Sequence, residues 1–199
     1  MKTPFFLSQC FLFHFGFTQC LQVTGNPPLI DVPTYSLATK DADGKTGMNI
    51  LTYATPISIR PDRIWSVGLY KGTVAHENFS KTGEGVLQLL SPNHAKVVKL
   101  LGGSSGRDLD KKQECEKLGM AWVLIDEDLP DLLPDCSHYM KISRVGDLID
   151  CGSHDLAICR IESMLVPDDR DGDASHKDNL NTGKLRELGI ITEQGRVAD

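Results

Sequence analysis

The sequence predicts a β-rich domain with two or three helices. Residues 63–70 alternate between two faces, with Trp65, Val67 and Leu69 on one of them, which is the period of a half-buried strand. The run 41–44 reads Asp-Ala-Asp-Gly, a turn in which glycine supplies the positive φ of a hairpin. Helix signals are few and do not alternate with strands, so βαβ units are not expected.

The strands follow the chain in order around these signals. The turn at 41–44 separates two expected strands, and Gly68 in the alternating strand would let a flat or bulky group approach the sheet. Further strands are expected wherever Val and Ile alternate with polar residues. The complete set of predicted strands is 34–39, 48–54, 63–70, 121–125, 139–148 and 155–165.

Helix boundaries are marked by capping residues. Thr73 can cap a helix that begins near Val74. Serine and proline at 91–92 favour a helix start, and paired glycines close that helix after Leu101. Further helices are expected at 110–118 and, near the C-terminus, at 184–188.

The chain divides by composition into three parts. Residues 1–25 contain an apolar run and no acidic residue, as in a targeting leader, although an inert extension has the same composition. The leader implies organellar or secretory routing, and a cytoplasmic location if it does not function. Its apolar run is too short for a stable membrane span. Residues 28–166 form the predicted main domain, and 167–199 form an acidic loop with a C-terminal helical segment.

Charge and cysteine content exclude several function classes. The formal charge of −6 and pI near 5.5 provide no basic surface for nucleic acid or anionic lipid. The six cysteines form no Cys-x-x-Cys pair, so reduced thiols are expected. A zinc site would have to draw on Cys151 and His154 with Cys136, His138 and Cys159. It lacks two close ligand pairs, and we predict no metal.

Two segments favour a phosphate-bearing cofactor. Residues 70–79 and 104–111 each place hydroxyls, a glycine and a long cation where a loop becomes a helix. Such a junction offers free backbone N–H groups, the positive end of a helix dipole and a counter-charge. No Gly-x-Gly-x-x-Gly fingerprint is present, so the sequence indicates no dinucleotide-binding Rossmann unit.

The same segments carry a resemblance. Residues 49–56, then 68–73 with His76, Glu77 and Asn78, then 104–111, resemble successive motifs of the flavin reductase-like family, over about 35–165. The resemblance implies a Greek-key split β-barrel that binds FMN, usually as a homodimer with FMN near the subunit interface. It also implies NADH or NADPH as a transient hydride donor. The electron acceptor could be free flavin, a ferric chelate, oxygen or a partner monooxygenase.

The resemblance and the local chemistry together define a set of candidate cofactor-binding residues. Lys71 and Thr73 are candidates for the phosphate, and the segment 52–55 for the flavin ring. The set is Asn49, Thr52, Tyr53, Ala54, Thr55, Lys71, Thr73, His76, Asn78, Ser104, Ser105 and Arg107. The family's late Gly-Asp-His segment matches Gly152, Ser153 and His154 with Ser in place of Asp. His154 is therefore the candidate contact on the nicotinamide or substrate side.

Two alternatives remain open from the residues. An FMN-binding electron carrier without reductase turnover would need the same contacts. Residues 102–106 also fit Gly-x-Ser-x-Gly, the nucleophile elbow of serine hydrolases, with Ser104 as nucleophile and Asp126 and His154 in the right order. That elbow must follow a strand, whereas Ser104 is expected to follow a helix.

Overall fold

The computed structural model describes residues 28–166 and 179–198. The predicted leader and the acidic loop at 167–178 lie outside these residues. The strands are β1 (Tyr35–Lys40), β2 (Thr46–Leu51), β3 (Ala54–Ser58), β4 (Ile64–Tyr70), β5 (Glu84–Leu89), β6 (His138–Arg144), β7 (Ile149–Cys151) and β8 (His154–Leu165). The helices are α1 (Val74–Thr82), α2 (Ala95–Gly103), α3 (Lys111–Lys117) and α4 (Thr182–Glu187), with a 3-10 turn at Pro92–His94.

All strands belong to one antiparallel sheet. Its order is β2-β1-β5-β6-β8-β4-β3, and β7 pairs with β8 beside this path. The crossings from β1 to β5 and from β6 to β8 make neighbours of strands that are distant in sequence. The predicted β-rich, antiparallel class is confirmed. Strands β2 and β3 are the first and last in this order, so the short connection between them links the two ends of the sheet.

Alternation along the strands divides the core in two. On one side of the sheet, Leu37 of β1 and Leu51 of β2 pack with Phe79 of α1, so that α1 covers this inner cluster. On the other side, Ala38 and Met48 pack against the helices α2 and α3 and the segment that follows α4. Both clusters remove apolar surface from water, the main stabilising term in folding. Strand β2 contributes to both, so it lies between them.

Several predicted strands differ from the observed ones. The expected strand 48–54 ends at Leu51, and the chain turns through residues 52–53 before β3 begins at Ala54. Residues 121–125 form no strand, because only Val123 finds a partner, in an isolated bridge to Leu132. Strand β5 was not predicted. It is almost wholly buried, so it lacks the alternation that reveals a strand with one wet face.

The helix starts agree with their sequence signals, but the expected end of α2 after Leu101 is wrong, because α2 continues through Gly102 to Gly103. Thr73 accepts a hydrogen bond from the His76 N–H at the start of α1, and Asp110 accepts one from the Gln113 N–H at the start of α3. These caps satisfy backbone donors that a helix leaves unpaired. Among the described residues, no helix has the length and apolar character needed to cross a membrane.

Candidate functional site

A large cleft opens at the end of the sheet where β2 gives way to β3. Its volume is about 1360 Å³. Its walls come from β2 and the connection at 52–53, the start of α1, the loop at 104–107 after α2, the start of α3, and the C-terminal residues 194–198. The cleft thus collects segments that lie far apart in the chain.

Most of the predicted site residues line this cleft. Three stretches that the sequence analysis singled out independently meet there, together with the late-strand histidine. The lining members of the predicted set are Asn49, Thr52, Tyr53, Thr73, Ser104, Ser105, Arg107 and His154.

Asn49 lines the cleft with a buried side-chain oxygen, Oδ1, that has no hydrogen-bond partner among the described residues. Its side chain is 5% exposed. The amide nitrogen makes only a long 3.5 Å contact to the Ile50 carbonyl. A buried acceptor without a partner costs about 1–3 kcal/mol. A ligand that offers a donor at this point would remove that cost.

Aromatic rings form another wall of the cleft. The His154 ring lies between Tyr53 and Tyr70, with centroid distances of 5.2 and 5.3 Å and edge-on geometry. Gly68 makes this possible, because a Cβ there would lie 2.8 Å from the Tyr53 Cβ. The bulky group that Gly68 admits to the sheet is therefore Tyr53 itself. Burial lowers the pKa of His154, and Ser153 Oγ lies 3.0 Å from its Nδ1.

The loop at 104–107 is held against the start of α1. The Arg107 guanidinium donates to the Gly72 carbonyl at 2.8 Å and pairs with the Glu77 carboxylate. The Arg107 N–H donates to Ser105 Oγ at 3.2 Å. Arg107 is thus already paired and acts first as a clamp between loop and helix. The Thr73 hydroxyl is occupied too, since it donates to the Tyr70 carbonyl at 3.1 Å while it caps α1.

Lys111 is a cleft residue that the predicted set did not include. It is 8% exposed, and its Nζ donates to the carbonyls of Met48 at 3.2 Å and Leu101 at 2.7 Å. Burial lowers its pKa to about 8, since no carboxylate compensates for the lost hydration. The sequence could have indicated Lys111 as a site residue, because it is the last residue of the motif segment 104–111.

Lys71 and His76 lie outside the cleft lining, in a charged cluster. We define the charged cluster as Lys71, His76, Asp150 and Asp155. Lys71 Nζ lies 2.8 Å from Asp150 Oδ1 and 3.1 Å from Asp155 Oδ1, and His76 Nε2 lies 2.8 Å from Asp155 Oδ2. The cluster ties the start of α1 to the turn between β7 and β8, which presents Ser153 and His154 to the cleft. The Lys71 N–H strengthens this tie by donating to the Ser153 carbonyl at 3.1 Å.

These contacts shift the pKa values of the charged cluster. Hydrogen bonds from His76, and then from Lys71, lower the pKa of Asp155. Those from Lys71 and from the Gly152 N–H lower the pKa of Asp150. The hydrogen bond to Asp150 is the main cause that raises the pKa of Lys71. Lys71, Asp150 and Asp155 therefore stay charged around neutral pH, and the Lys71 ammonium is already paired with protein carboxylates.

Three further members of the predicted set lie away from the cleft. Ala54 and Thr55 belong to β3, where they pair with Val67 and Ser66 of β4, so the expected turn at 52–55 covers only 52–53. Asn78 is 6% exposed, and its Nδ2 would lie 3.1 Å from a Cβ at Gly47. It packs between α1 and β2 behind the cleft.

The geometry does not fit a serine hydrolase. Ser104 follows α2 directly and has extended backbone angles, in a protein whose described strands are all paired antiparallel. A nucleophile elbow needs a strand before the serine and a helix after it. No group of three or more His, Cys, Asp or Glu side chains suited to a metal occurs within 28–166 and 179–198.

The single antiparallel sheet, with a large cleft where β2 gives way to β3, defines the fold class of this protein. Residues 27–183 match the model of the flavin reductase like domain. The match covers more than half of the chain, so the chain belongs to the flavin reductase-like family. No curated protein matches the sequence.

Solved structures identify the fold as the FMN-binding split barrel. An FMN-binding protein from Thermus thermophilus superposes with a TM-score of 0.65 at 16% identity, covering 82% of this chain and 90% of that chain. A flavoredoxin from Methanosarcina acetivorans gives 0.64 at 14%, with the same coverage. The styrene monooxygenase flavin reductase from Pseudomonas putida S12 gives 0.57 at 16%, covering 70% of this chain and 83% of that chain. At such identities the likeness shows the fold alone.

Proposed function

We propose that this protein binds FMN in the cleft and is an NAD(P)H:flavin oxidoreductase. The observation that carries the proposal is Asn49, a buried amide with an unpaired acceptor on the cleft lining. The pyrimidine edge of a flavin alternates carbonyl acceptors with an N–H donor, which is the pattern that an asparagine amide complements. The residues present therefore fit a flavin ring edge.

The phosphate end is served by the loop after α2 and by α3. Ser104 and Ser105 supply hydroxyls, and Lys111 supplies a cation whose ammonium is bound by backbone carbonyls instead of a carboxylate. A phosphate would give Lys111 its missing counter-charge and raise its pKa again. Arg107 holds this loop against α1 and so keeps the hydroxyls in position.

The aromatic wall suits the nicotinamide side. A bound flavin supplies the hydride-accepting chemistry, and the protein's part is to stack the rings and exclude water. Tyr53, Tyr70 and His154 provide flat surfaces for this purpose. Burial lowers the pKa of His154 and so favours the neutral ring, which does not repel an oxidised, cationic nicotinamide. His154 acts here as a contact and not as an acid.

We also propose that the protein is a homodimer formed through the side of the sheet that carries β3. That strand lies at one end of the sheet order. Ile57 and Ile59 are 53% and 75% exposed, and Tyr53 is 63% exposed. An unpaired edge with exposed apolar side chains favours association. Light scattering during gel filtration tests the proposal, and a monomer at micromolar concentration would contradict it.

An electron carrier is the second candidate function. It is favoured by two structural neighbours whose names are FMN-binding protein and flavoredoxin. Such a carrier would hold flavin in the same cleft and would exchange electrons with a protein partner instead of a nicotinamide. Turnover separates the two candidates.

The absorbance spectrum of the purified protein between 300 and 550 nm, with FMN added before gel filtration, tests both. Retained flavin bands that bleach under anaerobic NADH or NADPH would support the reductase and identify the donor. Retained bands that do not bleach would support the carrier. A protein that retains no flavin at high FMN concentration would contradict the cofactor site itself.

A further inference from the structure

The C-terminal hairpin, which we define as residues 190–198, belongs to the cleft although it lies beyond the family match, which ends at residue 183. Ile191 and Val197 pair in a bridge. The Thr192 N–H donates to the Arg196 carbonyl at 2.7 Å, and the Ala198 N–H donates to the Ile190 carbonyl at 2.9 Å. The hairpin is therefore an ordered turn with its own hydrogen bonds, and residues 194–198 line the cleft.

Packing fixes the hairpin beside the proposed flavin site. A Cβ built at Gly102 would lie 3.0 Å from Val197 Cγ2 and 3.6 Å from Ile50 Cβ, and one at Gly103 would lie 3.2 Å from Val197 Cγ1. Val197 thus sits on the two glycines that end α2. Ile50 is two residues before Thr52, and Gly103 directly precedes Ser104. The adjoining Arg196 is consequently held where the two motif segments meet.

The charge of the cleft is opposite to that of the chain. The chain carries −6, but cations outnumber carboxylates among the described lining residues. The lining carboxylates are Asp41, Asp110 and Asp131. The lining cations are Lys45, Lys99, Arg107, Lys111, Lys112 and Arg196.

Arg196 differs from the other lining cations whose partners are known. Arg107 pairs with Glu77 and Lys112 with Asp131, whereas Lys111 is bound by carbonyls. Arg196 is exposed and is one of the residues that line the cleft, and within 28–166 and 179–198 no carboxylate pairs with its side chain. A guanidinium of this kind binds phosphate oxygens in a bidentate manner.

The cleft is also larger than one mononucleotide requires. Its 1360 Å³ exceeds the roughly 300–1,000 Å³ of ordinary small-ligand sites. The hydroxyls of the loop at 104–107 and Lys111 already serve one phosphate in the proposed function. The hairpin continues the wall beyond them and adds another cation.

We propose that Arg196 binds the second phosphate of a dinucleotide, so that the C-terminal hairpin recognises an ADP moiety. This inference rests on the proposed flavin site and extends it. The ADP moiety is common to FAD and to NADH or NADPH, and the two sources are distinguished by experiment. The hairpin makes the difference between a mononucleotide site and a dinucleotide site.

The test is the affinity of the Arg196→Gln variant for FMN, FAD and ADP-ribose, measured by flavin fluorescence quenching and by calorimetry. The Kd for the ADP-bearing ligand should rise about tenfold, since a charge-assisted hydrogen bond is lost. The Kd for FMN should stay within about twofold. If FAD is the source, the FAD Kd rises. If the nicotinamide is the source, the ADP-ribose Kd and the KM for NADH or NADPH rise while the FAD Kd does not.

Glu193→Gln is the control, because it removes one charge, of opposite sign, from the same hairpin at a residue outside the cleft lining. It should leave all three affinities unchanged. Equal weakening of FMN and FAD by Arg196→Gln would place Arg196 at the flavin phosphate and overturn the inference, as would no change in any affinity. A wild-type protein that binds ADP-ribose through Arg196 but retains no FMN would contradict the proposed function and keep the inference.

Discussion

Lys71 and Lys111 lie in two regions that differ in the partners they offer to a buried or partly buried ammonium group. In the charged cluster, Lys71 contacts the carboxylates of Asp150 and Asp155, and its pKa is raised. In the cleft, Lys111 contacts only the carbonyls of Met48 and Leu101, and its pKa falls to about 8. Lys71 therefore has its counter-charge without a ligand, and Lys111 does not.

The difference separates support from binding within one set of motif residues. The hydrogen bonds and ion pairs of the charged cluster connect α1 to the turn that presents His154. The cleft keeps an unpaired acceptor on Asn49 and an uncompensated ammonium on Lys111. Groups of this kind on the wall of a cleft are candidates for contact with a ligand.

The largest expected effect comes from the element that both regions share. Helix α1 begins at the Thr73 cap and carries His76, and it packs on β2 at Gly47. A Cβ at Gly47 would lie 2.9 Å from Val74 Cγ1. Gly47→Val should therefore lower the free energy of unfolding by about 1–3 kcal/mol through overpacking, as measured by urea denaturation, and weaken FMN binding as well.

Gly106→Ala provides the matched control on the other side of Val74. Its added Cβ would lie 3.4 Å from Val74 Cγ2, an ordinary contact, so stability should change little. Unchanged stability and FMN affinity in Gly47→Val would show that α1 does not couple the two regions.

The next effect is a pH dependence due to Lys111. Its pKa is about 8 in the folded protein against an ordinary value of 10.5, so between these pH values the unfolded chain binds more protons. The free energy of unfolding contributed by this group therefore rises with pH from about 8 to 10.5. Between pH 7 and pH 9.5 the wild type should gain about 2 kcal/mol relative to Lys111→Met. A constant difference would mean that Lys111 keeps its ordinary pKa.

Sequence reasoning worked where the apolar residues of an element alternate with small or polar ones, or where a cap marks its start. In β4, Val67 and Leu69 pack in the inner cluster, and the helices α1 and α3 carry their caps at Thr73 and Asp110. It failed for β5, which is buried along most of its length, and for 121–125, which has β-type composition but only one bridge to Leu132. Whether such a segment forms a strand depends on its pairing with strands distant in the sequence, and local composition does not reveal that pairing.

For the site, motif resemblance placed most candidates near the cleft but could not assign their partners. Lys71 and His76 meet Asp150 and Asp155 about eighty residues later, and nothing local indicates that meeting. The C-terminal hairpin has no motif at all, because its role depends on Val197 reaching the end of α2. Contacts between segments distant in the chain decided which predicted residues face the cleft.

Substitution of Asn49 is expected to change the affinity for FMN much more than the stability of the protein. Asn49→Ala should raise the Kd for FMN about tenfold, because a hydrogen bond to the flavin edge is lost. The free energy of unfolding of the flavin-free protein should change little, since Oδ1 has no protein partner to lose and its removal relieves the cost of an unpaired buried acceptor. Asn78→Ala is the control, as a buried asparagine outside the cleft lining, and should leave the Kd unchanged. If Asn78→Ala raises the Kd for FMN and Asn49→Ala does not, the flavin contact lies on α1 and not on β2.

The smallest effect on binding is expected in the charged cluster. The pKa of Asp155 is lowered by hydrogen bonds from His76 and Lys71, so its stabilising contribution is present above its unfolded pKa and is lost as the pH falls through the folded one. Asp155→Asn should lower the urea midpoint at pH 7, and the gap to wild type should close in acid. Asp150→Asn should do less, because its side chain is 77% exposed against 15% for Asp155. If the Kd for FMN rises as much in Asp155→Asn as in Asn49→Ala while the midpoint is unchanged, the charged cluster belongs to the binding site, and the division between the two regions is wrong.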